Sequence, residues 1–380
     1  MESPRVETLL PARVPSGAKV YLAPRDLCRR AGLESLIDSG GALPLTGGWL
    51  AFSVCEVTVR TPGRVQRIAD TVPDIRAWAG RLRGMAQERV EMLLGNLSRD
   101  RAGGEPMRRP RLMGILNVTP DSFSDGGEHL DPAAAIAHGR RLAEAGADIL
   151  DVGGESTRPG AAPVAPEIEI ERVLPVLQGL VAARSAFPNL QISIDTRHAR
   201  VMRAALAAGV DIVNDVTALG GDPDSAAAMA GSNAAVVLMH MRGDPRTMNE
   251  APVYEDVVLD VFDELEGRIQ ACIDAGIGRD RIIVDPGIGF AKRGPHNQAV
   301  LRSLALYHGL GCPILLGVSR KSLGSEGERR LAPKDRLPTS LAAAMHGLNQ
   351  GVQILRVHDV AETHRVVDLW QRLHGPDNDH

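Results

Sequence analysis

The chain has 380 residues, a hydrophobic fraction of 44% and a formal net charge of −4. This length suffices for one large domain with a buried core and a smaller addition. The weak negative charge gives no general attraction to nucleic acid or to an anionic membrane surface. No apolar run of about 18 residues predicts a membrane span, and the first residues lack the pattern of a secretory signal. The widely spaced cysteines (Cys28, Cys55, Cys272 and Cys312) predict free thiols in the cytoplasm rather than a zinc site or disulfides.

Residues 1–97 predict a small α+β module. Apolar runs at 18–22 and 49–60 predict strands, and 64–97 is predicted to be mostly helical, with an interruption at Pro73. No motif in this module indicates its role.

The stretch 98–111 is rich in glycine, proline and charge, and it predicts a linker. The rest of the chain, 112–375, alternates apolar runs with helical patterns. The apolar runs are 112–118, 148–153, 191–196, 211–216, 234–240, 281–286, 313–319 and 353–358. Eight such units predict a (β/α)₈ TIM barrel, because continuous apolar runs are typical of parallel strands buried on both faces. A doubly wound open sheet is the alternative.

A polar or ionisable residue ends nearly every predicted barrel strand: Asn117, Asp195, Asn214, His240, Asp285, Ser319 and His358. Taken singly, these residues have simpler explanations, since Asn favours turns and Asp favours helix caps. In a barrel, however, all strands end at one mouth, where active sites lie. The set therefore predicts an active site at that mouth.

Two segments allow a comparison with a known family. The segments LMGILNVTPDSFSDGGEHL and ADILDVGGESTRP, at 112–130 and 147–159, resemble the signature motifs of the dihydropteroate synthases. Further similarity lies in SRKS after the seventh strand and in LRVHD at the eighth. The resemblance covers about 110–375. It implies the same barrel and a transferase of folate biosynthesis, which joins 6-hydroxymethyl-7,8-dihydropterin diphosphate to p-aminobenzoate and gives 7,8-dihydropteroate and pyrophosphate.

The resemblance also implies a role for individual residues. It assigns Asp195, Asn214, Met239, Asp285 and Lys321 to the pterin, Phe123, Thr157, Arg158, Pro159 and Ser322 to p-aminobenzoate, and Asn117, Arg158, Arg356 and His358 to pyrophosphate. It implies that Asp195, Lys321, Arg356 and His358 are catalytic and that Asn117 binds a Mg²⁺ cofactor. It further implies a cytoplasmic homodimer that sulfonamides inhibit and that binds neither nucleic acid nor membrane.

Two other functions would use much of the same site. A methyltetrahydrofolate-type methyltransferase would share Asp195, Asn214 and Asp285, but it would not need the anion-binding residues. A non-catalytic pterin-binding paralogue would have lost polar strand ends, and none is lost here. No Ser–His or Cys pair is predicted to form an activated nucleophile, so a covalent intermediate is not expected. The chain departs from the typical family text at Ala291 and Arg293, which bears on loop packing.

Overall fold

The computed structural model describes residues 10–101, 109–119, 131–155, 163–243, 248, 252–323 and 331–375. Its N-terminal part contains two small antiparallel sheets, with strand orders β1–β5–β6 and β2–β4–β3. The strands are β1 Lys19–Arg25, β2 Cys28–Arg29, β3 Leu43–Pro44, β4 Leu50–Phe52, β5 Val54–Thr61 and β6 Arg64–Thr71. The helices are Glu34–Asp38, Val72–Arg81 and Met85–Ser98.

The prediction for 64–97 is wrong in its first part. Arg64–Thr71 is a strand that pairs along its full length with β5, and the helix begins only at Val72. Pro73 lies in the first turn of that helix, where a missing N–H costs nothing, so it starts the helix rather than interrupting it. Residues 102–108 of the predicted linker lie outside the described residues, and the division into module, linker and barrel stays a prediction.

Eight parallel strands form the larger sheet. They are β7 Arg111–Asn117, β8 Ile149–Gly153, β9 Gln191–Asp195, β10 Ile212–Asp215, β11 Ala235–Met239, β12 Ile282–Asp285, β13 Leu315–Leu316 and β14 Ile354–Val357. Their order is β12–β11–β10–β9–β8–β7–β14–β13, and a parallel bridge between Val284 and Ile314 joins the two ends. The sheet therefore closes into the predicted TIM barrel, which excludes the open-sheet alternative.

Helices surround the barrel strands. Those of the described residues are Pro132–Glu144, Pro166–Ala182, Ala199–Ala207, Ser225–Ala230, Val257–Asp274, Gly294–Arg302, Leu337–Asn349 and Val360–His374. Gly146, Gly209 and Gly276 follow three of them with φ of 102°, 93° and 88°, which are left-handed helix ends that glycine adopts most readily. No helix in the described ranges is long and apolar enough to cross a membrane.

The barrel interior changes from apolar to polar along the strand direction. One apolar layer consists of Met113, Ile149, Ile212, Val237, Ile283, Leu315 and Ile354. Because side chains alternate along a strand, the next inward-facing positions lie two residues further on. Four of these are Asp151, Asn214, Asp285 and Arg356. The apolar layer thus forms the floor of a polar chamber at the C-terminal ends of the strands.

The N-terminal elements pack on the flank of the barrel. The Tyr21 hydroxyl donates to the Asp263 carboxylate at 3.0 Å, and its ring meets the edge of Phe262 at a centroid distance of 5.4 Å. Arg60 forms an ion pair with Asp260 at 2.7 Å. All three barrel residues lie on the helix Val257–Asp274. The described N-terminal residues therefore pack on the helix Val257–Asp274, and Trp49 also stacks on Trp370 of the helix Val360–His374 at a centroid distance of 5.9 Å. The described residues of the mouth all come from the barrel.

Candidate active site

Arg356 stands at the centre of the polar chamber. Its Nε donates to Asp151 Oδ2 at 2.7 Å, and its Nη2 donates to Asp195 Oδ2 at 2.7 Å. Asn214 Nδ2 donates to the same Asp151 oxygen at 3.0 Å. The predicted residues Asp195, Asn214 and Arg356 thus meet through Asp151, a fully buried carboxylate that the sequence analysis did not identify.

Two buried acceptor atoms remain in this network. Asp151 Oδ1 and Asp195 Oδ1 make no hydrogen bond within the described residues. Unsatisfied buried acceptors are costly, so they favour a ligand that brings N–H donors. Burial holds the pKa of Asp195 above its ordinary value; the Arg356 guanidinium opposes this rise, while the Asp151 carboxylate adds to it. Burial alone would lower the pKa of Arg356, but the two carboxylates raise it, so the arginine stays charged.

Asp285 and Lys321 form the opposite side of the chamber. Asp285 Oδ1 accepts the Gly287 N–H at 2.7 Å, which holds the carboxylate in place. Lys321 Nζ donates to the Ile288 carbonyl at 2.5 Å and lies 4.7 Å from the centre of the Phe290 ring. Burial lowers the pKa of Lys321 to about 8, against the pull of the Asp285 carboxylate. The ammonium is therefore desolvated and available to a bound ligand.

A second buried network supports the loop that follows β12. Lys292 Nζ lies 2.8 Å from His240 Nδ1, and His240 Nε2 lies 3.0 Å from Glu264 Oε2. Lys292 also donates to the carbonyls of Gly287 and Phe290, both at 3.0 Å. Burial lowers the pKa of Lys292 to about 7 and that of His240 to about 4. This network ties the end of β11 to the loop that positions Asp285. Of its members, only His240 was predicted from the sequence.

His358 lies at the outer rim, where its Nδ1 is 3.1 Å from Ser319 Oγ. Ser319 and His358 are therefore in contact, and the expectation that no such pair acts as an activated nucleophile stays a prediction. The same Ser319 oxygen accepts the His358 backbone N–H at 3.1 Å. Because the hydroxyl is used to hold the histidine backbone, this contact fixes the ring orientation and gives no sign of an activated nucleophile.

Asn117 ends β7 at the same mouth. Its side chain makes no hydrogen bond within the described residues, and its Oδ1 faces the bare Cα of Gly153, as does Asp195 Oδ2. A methyl group on Gly153 would lie 3.7 Å from the amide oxygen and 3.8 Å from the carboxylate oxygen. An amide oxygen without a protein partner beside a carboxylate is a donor set that suits a hard cation such as Mg²⁺.

The remaining predicted residues divide into two groups. Met239 is buried at the end of β11, and Ser322 Oγ is buried without a hydrogen-bond partner within the described residues. The other predicted residues are Phe123, Thr157, Arg158 and Pro159, and they lie outside the described residues.

Comparisons with known proteins agree with this arrangement. The profile of the family described as "Pterin binding enzyme" matches residues 113–358. The dihydropteroate synthase of Escherichia coli strain K12 is 44% identical over 257 residues, which is 68% of this chain and 89% of that protein. Residues before 113 fall outside the family match.

Two solved structures share the fold. The Xanthomonas albilineans dihydropteroate synthase with 4-aminobenzoic acid is 47% identical, with a TM-score of 0.66, and the match covers 71% of this chain and 95% of that one. The Yersinia pestis dihydropteroate synthase in a sulfonamide drug complex is 40% identical, with a TM-score of 0.65, covering 70% and 94%. The closed barrel with its buried carboxylates and the profile match place the chain among the pterin binding enzymes. Within that class it belongs to the dihydropteroate synthase family.

Proposed function

We propose that the barrel mouth performs the reaction of this family. The enzyme joins the methylene carbon of 6-hydroxymethyl-7,8-dihydropterin diphosphate to the amine of p-aminobenzoate, and pyrophosphate leaves. The observation that supports this most directly is the polar chamber above an apolar floor, with two buried carboxylate oxygens that lack donors. A pterin offers a planar edge with several N–H donors, which is the chemistry those oxygens need.

The pterin would lie between the two sides of the chamber. Asp195 and Asp285 would accept its N–H groups, and Asn214, held by Asp151, would add an amide contact. Lys321 would donate to a ring acceptor, and Met239 would pack against the apolar face. This arrangement fixes the ring plane, so binding energy is used to orient the methylene carbon toward the mouth.

The pyrophosphate would lie at the rim. Arg356 Nη1 makes no hydrogen bond within the described residues, so its N–H groups can donate to the anion while Nε and Nη2 stay on their carboxylates. His358 and Arg158 would complete the anion site, and Asn117 would hold the Mg²⁺. Bound there, the cation would neutralise charge on the leaving pyrophosphate oxygens.

The chemical step needs little beyond orientation and charge stabilisation. The bond between the methylene carbon and the diphosphate oxygen breaks, the anion site accepts the negative charge, and the p-aminobenzoate nitrogen forms the new bond and loses a proton. Carboxylates around the pterin favour the electron-poor ring system that forms as the diphosphate leaves. No covalent bond to the protein is required.

We also propose a p-aminobenzoate site next to the chamber. Ser322 offers a buried hydroxyl without a hydrogen-bond partner within the described residues, and Phe123, Thr157 and Pro159 would complete the site. The relatives bound to 4-aminobenzoic acid and to a sulfonamide support this proposal. A sulfonamide should therefore compete with p-aminobenzoate, raising its apparent KM while kcat stays constant. A fall in kcat at unchanged KM would place the drug elsewhere.

The decisive test is turnover of the full chain. Pyrophosphate release should require both the pterin diphosphate and p-aminobenzoate, and Asp195→Asn should abolish it. A methyltransferase would release no pyrophosphate but would transfer a methyl group from methyltetrahydrofolate. Activity with methyltetrahydrofolate in place of the diphosphate would favour that alternative.

For the whole protein we propose a cytoplasmic homodimer. The helix Leu337–Asn349 has small residues on its outward side, including Ala342, which suits close packing against a second copy. The cysteines are free thiols, as a reducing compartment maintains them. Sedimentation equilibrium would show a dimer mass, and Ala342→Arg should convert it to monomer. A monomer mass for the unaltered protein would contradict the proposal.

A further inference from the structure

A cluster of one histidine and two glutamates lies behind the mouth, outside the chamber. Glu155 follows β8, Glu169 lies in the first turn of the helix Pro166–Ala182, and His198 precedes the helix Ala199–Ala207. His198 Nε2 is 3.7 Å from Glu155 Oε2 and 4.0 Å from Glu169 Oε2. One ligand atom from each residue lies within 4.8 Å of the others. Three separate segments of the chain therefore converge on one small volume.

Glu169 is the residue that this arrangement leaves unexplained. Its side chain is 0% exposed, and neither carboxylate oxygen makes a hydrogen bond within the described residues. His198 Nε2 is also buried without a hydrogen-bond partner there. Leaving a buried carboxyl group and a buried imidazole nitrogen without hydrogen-bond partners destabilises the fold. Some further group must offset this cost.

Glu155 is already neutralised by its neighbours. Arg197 donates to it through Nε and Nη2, both at 3.0 Å, and the Val164 N–H donates to Oε1 at 3.1 Å. A carboxylate has about four acceptor positions, so Oε2 can still bind another group. Arg197 is committed to Glu155 and forms no ion pair with Glu169. Burial therefore raises the pKa of Glu169 to about 8, although the Thr196 side chain opposes the rise, and a bound cation would replace the Glu169 proton.

We infer that Glu155, Glu169 and His198 form a divalent metal site that takes Zn²⁺ or a similar borderline cation. Imidazole and carboxylate together suit Zn²⁺, whereas Mg²⁺ and Ca²⁺ prefer oxygen ligands alone. Zinc bonds of about 2.0–2.2 Å place neighbouring ligand atoms about 3.3–3.6 Å apart, so the side chains need to move by less than about 1 Å. The His198 side chain is 20% exposed, which gives an ion and a fourth, water ligand a path to the site.

The site would have a structural role at the C-terminal end of β8. Glu155 directly precedes 156–162, the segment that begins with the STRP motif, and it lies two residues beyond Gly153, which faces Asn117 and Asp195. A cation at Glu155 would therefore join the end of β8 to two barrel helices. This inference does not depend on the reaction proposed for the mouth, because none of the three ligands lines the chamber.

Zinc titration of the full chain tests the inference. Protein treated with a chelator and then dialysed should bind one equivalent of Zn²⁺ by calorimetry, and its melting temperature should rise. Glu169→Gln and His198→Gln should each weaken binding at least tenfold. Glu167→Gln is the matched control, because Glu167 lies in the same helical turn but is exposed and pairs with Arg200. The zinc affinity of Glu167→Gln should equal that of the unaltered protein.

Ligand identity is a second, independent readout. X-ray absorption should show zinc bound by nitrogen and oxygen only, which separates this site from adventitious binding at the exposed thiol of Cys28. Circular dichroism establishes that each variant is folded. The inference would be overturned if the folded protein did not bind zinc, or if Glu169→Gln and His198→Gln both bound it as well as the unaltered protein. A zinc–sulfur distance in the absorption spectrum would also overturn it.

Discussion

Arg356 holds two buried carboxylates together, and this role differs from the anion-binding role that its sequence position suggests. Asp151 is fully buried and Asp195 nearly so, and each accepts one hydrogen bond from the guanidinium. Replacement of one partner in a buried ion pair leaves the other charge uncompensated, which costs far more than the pair contributes. The arginine is therefore both part of the site and part of what keeps the barrel folded.

The first prediction follows from this double role. Arg356→Met should lower the free energy of unfolding by about 3–5 kcal/mol, because Asp151 and Asp195 then face each other without a cation. The double variant Arg356→Met/Asp151→Asn should recover part of the loss, since one charge is removed. Urea denaturation at pH 7 measures both. Arg320→Met is the control: its pair with Asp359 is more exposed, and the loss should be about 1 kcal/mol or less. Equal losses for Arg356→Met and Arg320→Met would contradict the argument.

A second prediction concerns Asp285, which faces Lys321 in the chamber. Asp285→Asn keeps the shape of the side chain but replaces one acceptor oxygen with a donor NH₂ group. When a pterin binds, this NH₂ group faces an N–H donor of the pterin. The mismatch should cost about 1–3 kcal/mol, which weakens pterin binding at least about tenfold. Calorimetry with the pterin diphosphate measures this. Asp148→Asn, at the opposite end of the barrel, should bind the pterin normally. Unchanged affinity in Asp285→Asn would remove the residue from the pterin site.

At the level of elements, local sequence patterns predicted the barrel well. Each barrel strand lies inside one of the predicted apolar runs or begins one residue before it, because a strand buried on both faces must be apolar nearly throughout. The strand β6, in contrast, reads RVQRIADT, and its residues are mostly exposed. Its local sequence does not distinguish such a strand from a helix. The strand is stabilised mainly by its pairing with β5, because few of its side chains are buried.

The local pattern alone predicted the site only where polar residues interrupt a strand at its end, and the family resemblance added Met239, Lys321, Ser322 and Arg356. Asp151 lies inside the apolar run ILDVG, and its partner Arg356 is 205 positions away in the sequence. The network of Lys292, His240 and Glu264 likewise joins residues from three elements. Long-range pairing of this kind leaves no periodic pattern, so spacing along the chain cannot reveal it.

The same network provides a pH-dependent prediction. Glu264 can only accept, so His240 Nε2 carries the hydrogen and Nδ1 accepts from the Lys292 ammonium. The other charged or aromatic groups that face the ring are Arg242 and Tyr254. Burial lowers the pKa of His240 to about 4, from about 6.5 in the unfolded chain. The unfolded state therefore takes up the proton first as pH falls, and stability is lost between about pH 6.5 and pH 4.

His240→Gln should remove this part of the pH dependence. When the pH falls from 7 to 5, the free energy of unfolding should decrease by about 2 kcal/mol more in the unaltered protein than in the variant. This estimate takes 1.36 kcal/mol for each unit by which the pKa of His240 differs between the folded and unfolded states. Lys292 does not affect the comparison, because its shift acts above pH 7. Denaturation curves at the two pH values give the difference, and the exposed His364→Gln should behave as the unaltered protein does. Parallel losses in His240→Gln and the unaltered protein would show that His240 does not titrate in this way.

At the scale of the whole molecule, the N-terminal residues are attached to the barrel flank by both apolar and polar contacts. Phe262 stacks on Tyr307 with a centroid distance of 6.4 Å, and both rings are buried beneath this attachment. Asn96 and Arg101 donate to the carbonyls of Gly309 and His308, each at 2.8 Å. The family match begins only at 113, so this attachment is an addition to the matched region of the chain.

The last prediction tests that addition directly. A chain that begins at Arg109 should keep a kcat/KM close to that of the full chain, because every described residue of the mouth belongs to the barrel. Its melting temperature should fall, since removal of Tyr21 and its neighbours exposes Phe262 and Tyr307 to water. Full-length Tyr21→Phe is the matched control: it keeps the ring, loses the hydroxyl contacts to Asp263 and Arg60, and should be destabilised by about 1 kcal/mol. A soluble, folded chain from Arg109 that lacks activity would show instead that the N-terminal residues complete the active site.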